Sequence, residues 1–384
     1  MKRKMSLAAL AVILTCGTAS AQQINVKIGV LTDMSSLYAD ATGIGSVIAA
    51  KMAAADFMKD HPNVKVEVIS GDHQNKPDIG SQIANQWYDV DHVDMIADVP
   101  NSGVALAISQ IASQKNKVFV ASGPASSDLT GPKCNTNMVH WTYDTWMLAN
   151  GTGKAVVKTG GDTWFFLTSD YAFGHALERD TEAVVLKNNG KVLGKVRHPL
   201  NTNDFSSFLL QAQSSKAKII GLANAGGDTI NAIKQAAEFG IVKGGQSLAG
   251  LLVFATDVAA LGLPTAQGLV LTETFYWDLN DATRAWTKRW HAERNAPGKY
   301  PAMNQAGVYA GTLHYLKARA ALGGNPDGKS VVAKMKEMPT DDPLFGKGTI
   351  RADGRKIHPA YLFEVKSPAE SKYPGDFYKL RATI

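Results

Sequence analysis

Residues 24–58, INVKIGVLTDMSSLYADATGIGSVIAAKMAAADFM, change their periodicity twice. Ile24, Val26, Ile28 and Val30 alternate with Asn25, Lys27 and Gly29, the period of a pleated strand. A polar loop from Thr32 to Gly43 follows, carrying Asp33, Ser35, Ser36, Tyr38 and Asp40. Beyond Gly43 and Gly45 the apolar positions Val47, Ala50, Ala54 and Phe57 fall on one helical stripe. The stretch is a strand–loop–helix unit. In an open α/β sheet the loop leaving a strand's carboxyl end is where ligands sit.

The same grammar continues outward. NVKVEVIS (63–70) alternates as a strand, GDHQNKPD (71–78) turns, and Pro77 opens a helix that carries Ile79, Ile83 and Trp87. VDMIADV (93–99) is an apolar strand, followed by Pro100-Asn101-Ser102-Gly103 and a helix. KVFVASG (117–123) is another, opening into Pro124-Ala125-Ser126-Ser127-Asp128. Three strands thus end in small, hydroxyl-rich loops that share one edge of a parallel sheet. Each serine alone is a good helix cap; together they predict a hydrogen-bonding cradle.

Residues 140–160 start as a crossing segment and become a helix. The βα pattern then resumes, with strands at 163–170, 191–200, 218–224, 248–257 and 268–278 and helices between them. This alternation predicts parallel βαβ units in two doubly wound α/β domains. Residues 281–296, 303–322 and 329–338 read as helices, with Trp286 and Trp290 expected in a core. Residues 349–366 read as a hairpin turning at Asp353-Gly354, with YLFEV as its second strand.

Composition limits the function. The first 21 of 384 residues resemble a secretion signal, with Lys2, Arg3 and Lys4, an apolar run and Ala19-Ser20-Ala21. Removing them takes three positive charges from a net +6, leaving +3, with no basic cluster to suit nucleic acid. No later segment has 18 uncharged apolar residues in a row, the length a membrane span needs. Without the leader one cysteine remains, Cys134, which excludes an internal disulfide; it reads as a free thiol, with a thiol paired to His140 as the alternative. Asp72 and His73 read as turn and cap residues, with metal ligation the alternative. Gly43-x-Gly45 lacks the third glycine of a dinucleotide fingerprint, where Ile48 stands. Gly153-Lys154 lacks the first glycine and the hydroxyl of a phosphate loop, where Leu148 and Ala155 stand. HExxH, GxSxG and CxxC are absent, and no nucleophile is matched with a base, so neither an enzyme nor a cofactor is expected.

The loops TDMSSLYAD, DVPNSGVALAISQIA, VASGPASSDLTG, HWTYD, TSDYAFG and TETFYWD, in that order, resemble the type I periplasmic substrate-binding proteins of ABC importers, nearest the leucine/isoleucine/valine-binding group. The resemblance implies two lobes and a three-segment hinge. Lobe 1 would take 22–142 and 278–347, lobe 2 143–277 and 348–384, with crossings at Thr142–Asp144, Tyr276–Asp278 and Gly346–Gly348. It also implies a periplasmic monomer that hands a small molecule to an inner-membrane permease. The ligand's carboxylate would meet Asn101, Ser102, Ser122, Gly123, Ala125 and Ser126, with Ser35 and Tyr38 from the first loop. Lobe 2 would close with the loop at Asp170–Phe173, which carries Tyr171 and Phe173, the loop at Asn224–Gly227, and the strand end at Ala255–Asp257, where amino-acid binders keep an acid for the ligand's ammonium. Here that acid stands one or two positions from where it is needed. With Tyr143, the aromatic residues of these loops suit an aromatic or other organic carboxylate. A branched-chain amino acid, amide or urea is the alternative.

Overall fold

A computed structural model describes residues 23–384; the signal-like segment 1–21 lies outside the described residues. The chain opens with β1 (Ile24–Thr32), α1 (Gly43–Asp60), β2 (Val64–Asp72), α2 (Pro77–Asp89), β3 (Met95–Asp98), α3 (Ser102–Gln114), β4 (Val118–Ala121) and β5 (Met138–His140). These strands form one parallel sheet in the order β2-β1-β3-β4-β5. Every residue of β3 and β4 is buried, as inner strands covered on both faces must be.

The second sheet is preceded by α4 (Thr145–Leu148), a π turn (Ala149–Gly153) and α5 (Lys154–Lys158). Then come β6 (Thr163–Ser169), α6 (Ala172–Lys187), β7 (Lys191–His198), α7 (Ser206–Ser214), β8 (Ile219–Ala223), α8 (Gly227–Glu238) and β9 (Ser247–Gly250), followed by α9 (Ala255–Leu261), α10 (Leu263–Ala266) and β10 (Val270–Glu273). Its parallel order is β7-β6-β8-β9.

The chain returns to the first lobe with α11 (Asp281–Arg294), α12 (Met303–Leu322) and α13 (Gly328–Glu337). Helix α1 lies between the first sheet and this return. Its alanines and glycines let α12 approach closely: a Cβ on Gly45 would lie 2.3 Å from Gln305 Nε2. Trp286 and Trp290 are buried there as expected, and Trp290 Nε1 donates to the Gly45 carbonyl at 3.2 Å.

The end of the chain differs from the sequence reading. The strands are β11 (Thr340–Asp342), β12 (Gly346–Ile350), β13 (Lys356–Ile357), β14 (Tyr361–Val365) and β15 (Tyr378–Thr383). Asp353-Gly354 does turn a hairpin, but its arms are β12 and β13. The stretch YLFEV instead joins β10 and β15 in a separate antiparallel sheet against the second lobe. Alternation identifies a strand, but not its partner. Gly346–Gly348, expected as a crossing, lies in β12, which pairs with both β11 and β13; the passage to β14 runs through residues 358–360. The expected strand 248–257 stops at Gly250, and Ala255 begins α9.

The first crossing, residues 141–144, is clamped by the β13 side. Arg355 Nε meets Asp144 Oδ2 at 2.6 Å, and its Nη1 donates to the carbonyls of His140, Trp141 and Lys356. Both partners are almost fully buried. Lys356 Nζ sits 4.7 Å from the Trp141 ring centroid, and His358 Nε2 meets the Thr142 carbonyl oxygen at 2.9 Å. Removing one member of a buried pair strands the other's charge. Arg355→Met should therefore lower unfolding free energy in urea by about 3–5 kcal/mol, and a loss under about 1 kcal/mol, the scale of a surface pair, would contradict the clamp.

Candidate functional site

The carboxyl edges of the two sheets face each other across a small, nearly closed cavity. The first lobe contributes Tyr38 and Ala41 from the loop after β1, Pro100 after β3, and Gly123 and Ala125 after β4. Tyr143 comes from the crossing and Asn304 from the first turn of α12. The second lobe contributes Tyr171 and Phe173 after β6, Ala225 after β8, and Leu252 and Phe254 after β9. Among the described residues this wall carries no charged side chain.

The lobes touch at the cavity. The hydroxyls of Tyr38 and Tyr171 are in short hydrogen-bond contact, and Gly227 N–H donates to the Leu37 carbonyl at 3.2 Å. Gly226 stands beside that bond with φ +58°, and a Cβ there would fall 2.3 Å from the Leu37 oxygen, so this approach requires glycine. The loop presenting Tyr38 is built on Asp33, whose carboxylate accepts from the N–H groups of Ser35, Ser36 and Tyr38. Burial raises the Tyr38, Tyr143 and Tyr171 phenols, which stay neutral hydroxyls.

Tyr38, Gly123, Ala125, Tyr143, Tyr171 and Phe173 were expected from the sequence, and all line the cavity. The other expected residues do not. Ser35 Oγ donates to Asp72 at 2.7 Å on an exposed stretch, Asn101 caps α3, and Ser126 caps the turn at 127–129. Ser102 Oγ accepts from the N–H groups of Ala125 and Ser126, tethering the loop after β4. Ser122 is buried beside Gly307. Asn224 bonds Thr229 and His198, and Asp257 accepts from the Phe254 N–H at 3.0 Å. Asp257 thus holds the turn that presents Phe254 to the cavity.

Asn304, Phe254, Leu252, Pro100 and Ala41 were missed, while Ala225 falls in the expected loop Asn224–Gly227. Phe254 and Leu252 were read as strand residues. The adjacent polar pair Asn304-Gln305, opening a largely buried helix, was the available signal for Asn304.

Cys134 is exposed whereas His140 is fully buried on the Pro124 carbonyl. Among the described residues no group of three or more His, Cys, Asp or Glu could hold a metal, and no helix is long and apolar enough to cross a membrane.

Behind Gly123 and Pro100 lies Asp98, wholly buried, with neither oxygen hydrogen-bonded among the described residues. Asp98 and Val99 both have positive φ (79° and 62°), a strained pair where β3 turns into the cavity wall. Burial pushes the Asp98 carboxyl up to about 7, Asp257 to about 7 and Asp228 to about 6.

Comparison with known proteins agrees with this arrangement. A family model described as periplasmic binding protein matches residues 25–372. The crystal structure of a periplasmic binding protein from Burkholderia mallei is 53% identical, with 94% of each chain covered and a TM-score of 0.90. A branched chain amino acid ABC transporter periplasmic ligand-binding protein from Burkholderia xenovorans LB400 is 38% identical, covering 94% of this chain and 95% of that one at a TM-score of 0.80. An ABC transporter solute binding protein from R. palustris, in complex with 4-hydroxybenzoate, is 22% identical, covering 94% and 97% at a TM-score of 0.83; it shares the fold.

An unfolded aspartate titrates near 4, so between about pH 4 and 7 the native protein binds more protons at Asp98 than the unfolded chain does. Stability from this group therefore falls as pH rises through that window. Asn keeps the shape and tolerates the positive φ. The stability of Asp98→Asn minus that of the wild type should grow from pH 5 to pH 8 in parallel urea titrations; a difference independent of pH would contradict the buried acid.

Proposed function

The chain belongs to the periplasmic binding protein family, the solute-binding components of ABC transporters, and from that premise we propose that it captures a small aromatic or other organic carboxylate between its lobes and passes it, as a monomer, to an inner-membrane permease. The family's members are binding proteins, not enzymes, and the family name places them in the periplasm. Binding contacts from both lobes favour the closed arrangement, because a ligand shifts an equilibrium by its difference in affinity for the two states.

One observation carries the ligand reading. Five aromatic rings, Tyr38, Tyr143, Tyr171, Phe173 and Phe254, surround a small cavity whose wall holds no carboxylate to meet an α-ammonium. The acid that could have done so, Asp257, is engaged with the Phe254 N–H. Tyrosine hydroxyls supply the polar contacts. In the Tyr38–Tyr171 pair one hydroxyl donates to the other, which leaves the second proton free for a ligand oxygen. The R. palustris protein holds 4-hydroxybenzoate in the same fold, but the reading for this chain rests on its own rings.

The name of the B. xenovorans relative favours a second reading, a branched-chain amino acid. Calorimetry separates the two. Benzoates and phenylacetates should bind, whereas leucine, isoleucine and valine should not; binding of the amino acids alone would overturn the aromatic reading. Tyr171→Ala should weaken the bound acid by about 1–3 kcal/mol, the scale of a truncated aromatic anchor, with the thermal unfolding midpoint little changed. Unchanged affinity would remove Tyr171 from the site.

A further inference from the structure

The polar side of the cavity contributed by the first lobe is short of donors. Asn304, 1% exposed, lines the cavity from the first turn of α12. Its Nδ2 reaches the Gly123 carbonyl at 3.4 Å, and Tyr143 Oη donates to the same oxygen at 2.8 Å. A carbonyl only accepts, so both groups donate to it, and the amide of Asn304 turns its nitrogen toward Gly123. Asn304 Oδ1 is left without a partner among the described residues. So are both oxygens of Asp98, which Gly123 admits closely: a Cβ there would lie 2.6 Å from Asp98 Oδ1. Ser122 and Thr142 are also buried and unpartnered. Their hydroxyls rotate and suit either role, so they decide nothing. An amide oxygen cannot donate. Left unmatched in a closed site it costs the full desolvation of a buried acceptor, and a ligand that donates to it removes that cost.

We infer that Asn304 determines specificity: its Oδ1 accepts a hydrogen bond from a hydroxyl on the ligand's ring, so that ring-hydroxylated aromatic acids are selected over their unsubstituted parents. The inference rests on the aromatic reading of the site and adds to it a required donor. The same cavity then offers a phenolic proton to a carboxylate oxygen and an amide oxygen to a hydroxyl. An unsubstituted acid satisfies the first group and strands the second.

The test is calorimetric titration of the full protein with benzoate, 3-hydroxybenzoate and 4-hydroxybenzoate. The wild type should bind at least one hydroxylated acid about tenfold or more tightly than benzoate, the effect of one matched against one unmatched hydrogen bond. In Asn304→Leu, similar in size but with no acceptor, that ratio should fall to about one. Asn304→Ala, a smaller change, serves if the leucine variant does not fold, and the wild-type ratio needs no variant. Equal wild-type affinity for benzoate and both hydroxybenzoates, as when a water already meets Oδ1, overturns the role of Asn304 and leaves the aromatic reading standing. So does a preference that survives in both variants. Absence of binding by all three acids overturns both readings.

Discussion

The guanidinium of Arg355 is the constraint on which the cleft depends. It enters from the β13 side of the molecule and holds a carboxylate and two carbonyls of the segment that leaves the first sheet. Burial alone would raise Asp144, yet Arg355 beside it holds the carboxyl below the usual range. The same carboxylate caps α4 through the Met147 N–H, so one buried charge pair ties the crossing, the start of the second lobe's helix and the returning chain together. Exchanging the whole pair for apolar groups would change the net energy little; it is the loss of one member that strands a buried charge. Here the tie sets Tyr143, the residue before Asp144, with its hydroxyl on Gly123.

From that point the site follows. Gly123 lacks a side chain where Asp98 and Pro100 approach, Tyr143 and Asn304 converge on its carbonyl, and the rings of the second lobe meet them from the other side. Acids remain near the cavity, but each is buried behind the wall or bound to backbone. Asp228 accepts from the N–H groups of Asn201 and Thr202, Asp257 from Phe254, and Asp98 from nothing among the described residues. They shape the loops and leave the surface of the cavity apolar and hydroxylic.

Much of this was legible in the residues. The pleated alternation of β1, the turn at Gly43 and the stripe of α1 declare a βα unit because strand and helix periods differ, and the hydroxyl-rich ends of β1, β3 and β4 mark one edge of a parallel sheet. Tyr38 follows β1, Tyr143 follows β5, and Tyr171 and Phe173 follow β6, each just past a strand's carboxyl end, which is why these four could be named. The serines and asparagines misled on placement: Asn101, Ser102 and Ser126 are short polar side chains that bond local backbone as readily as a ligand, and nothing in their spacing says which. The pair Asn304-Gln305 hinted at a role, but its segment does not say what it faces, because its partner Gly123 lies 181 residues earlier.

The sequence by itself determined the class of fold, two runs of alternating strand and helix, and the loops that would face a ligand, since these follow from local periodicity and from where a strand must end. Only the tertiary structure decided that YLFEV pairs with β10 and β15 rather than with the strand before the Asp353-Gly354 turn, that Asp257 serves a turn, and that Asn304 reaches Gly123. Each of these depends on which surfaces are buried together, and burial is a property of the packed chain that no single segment carries.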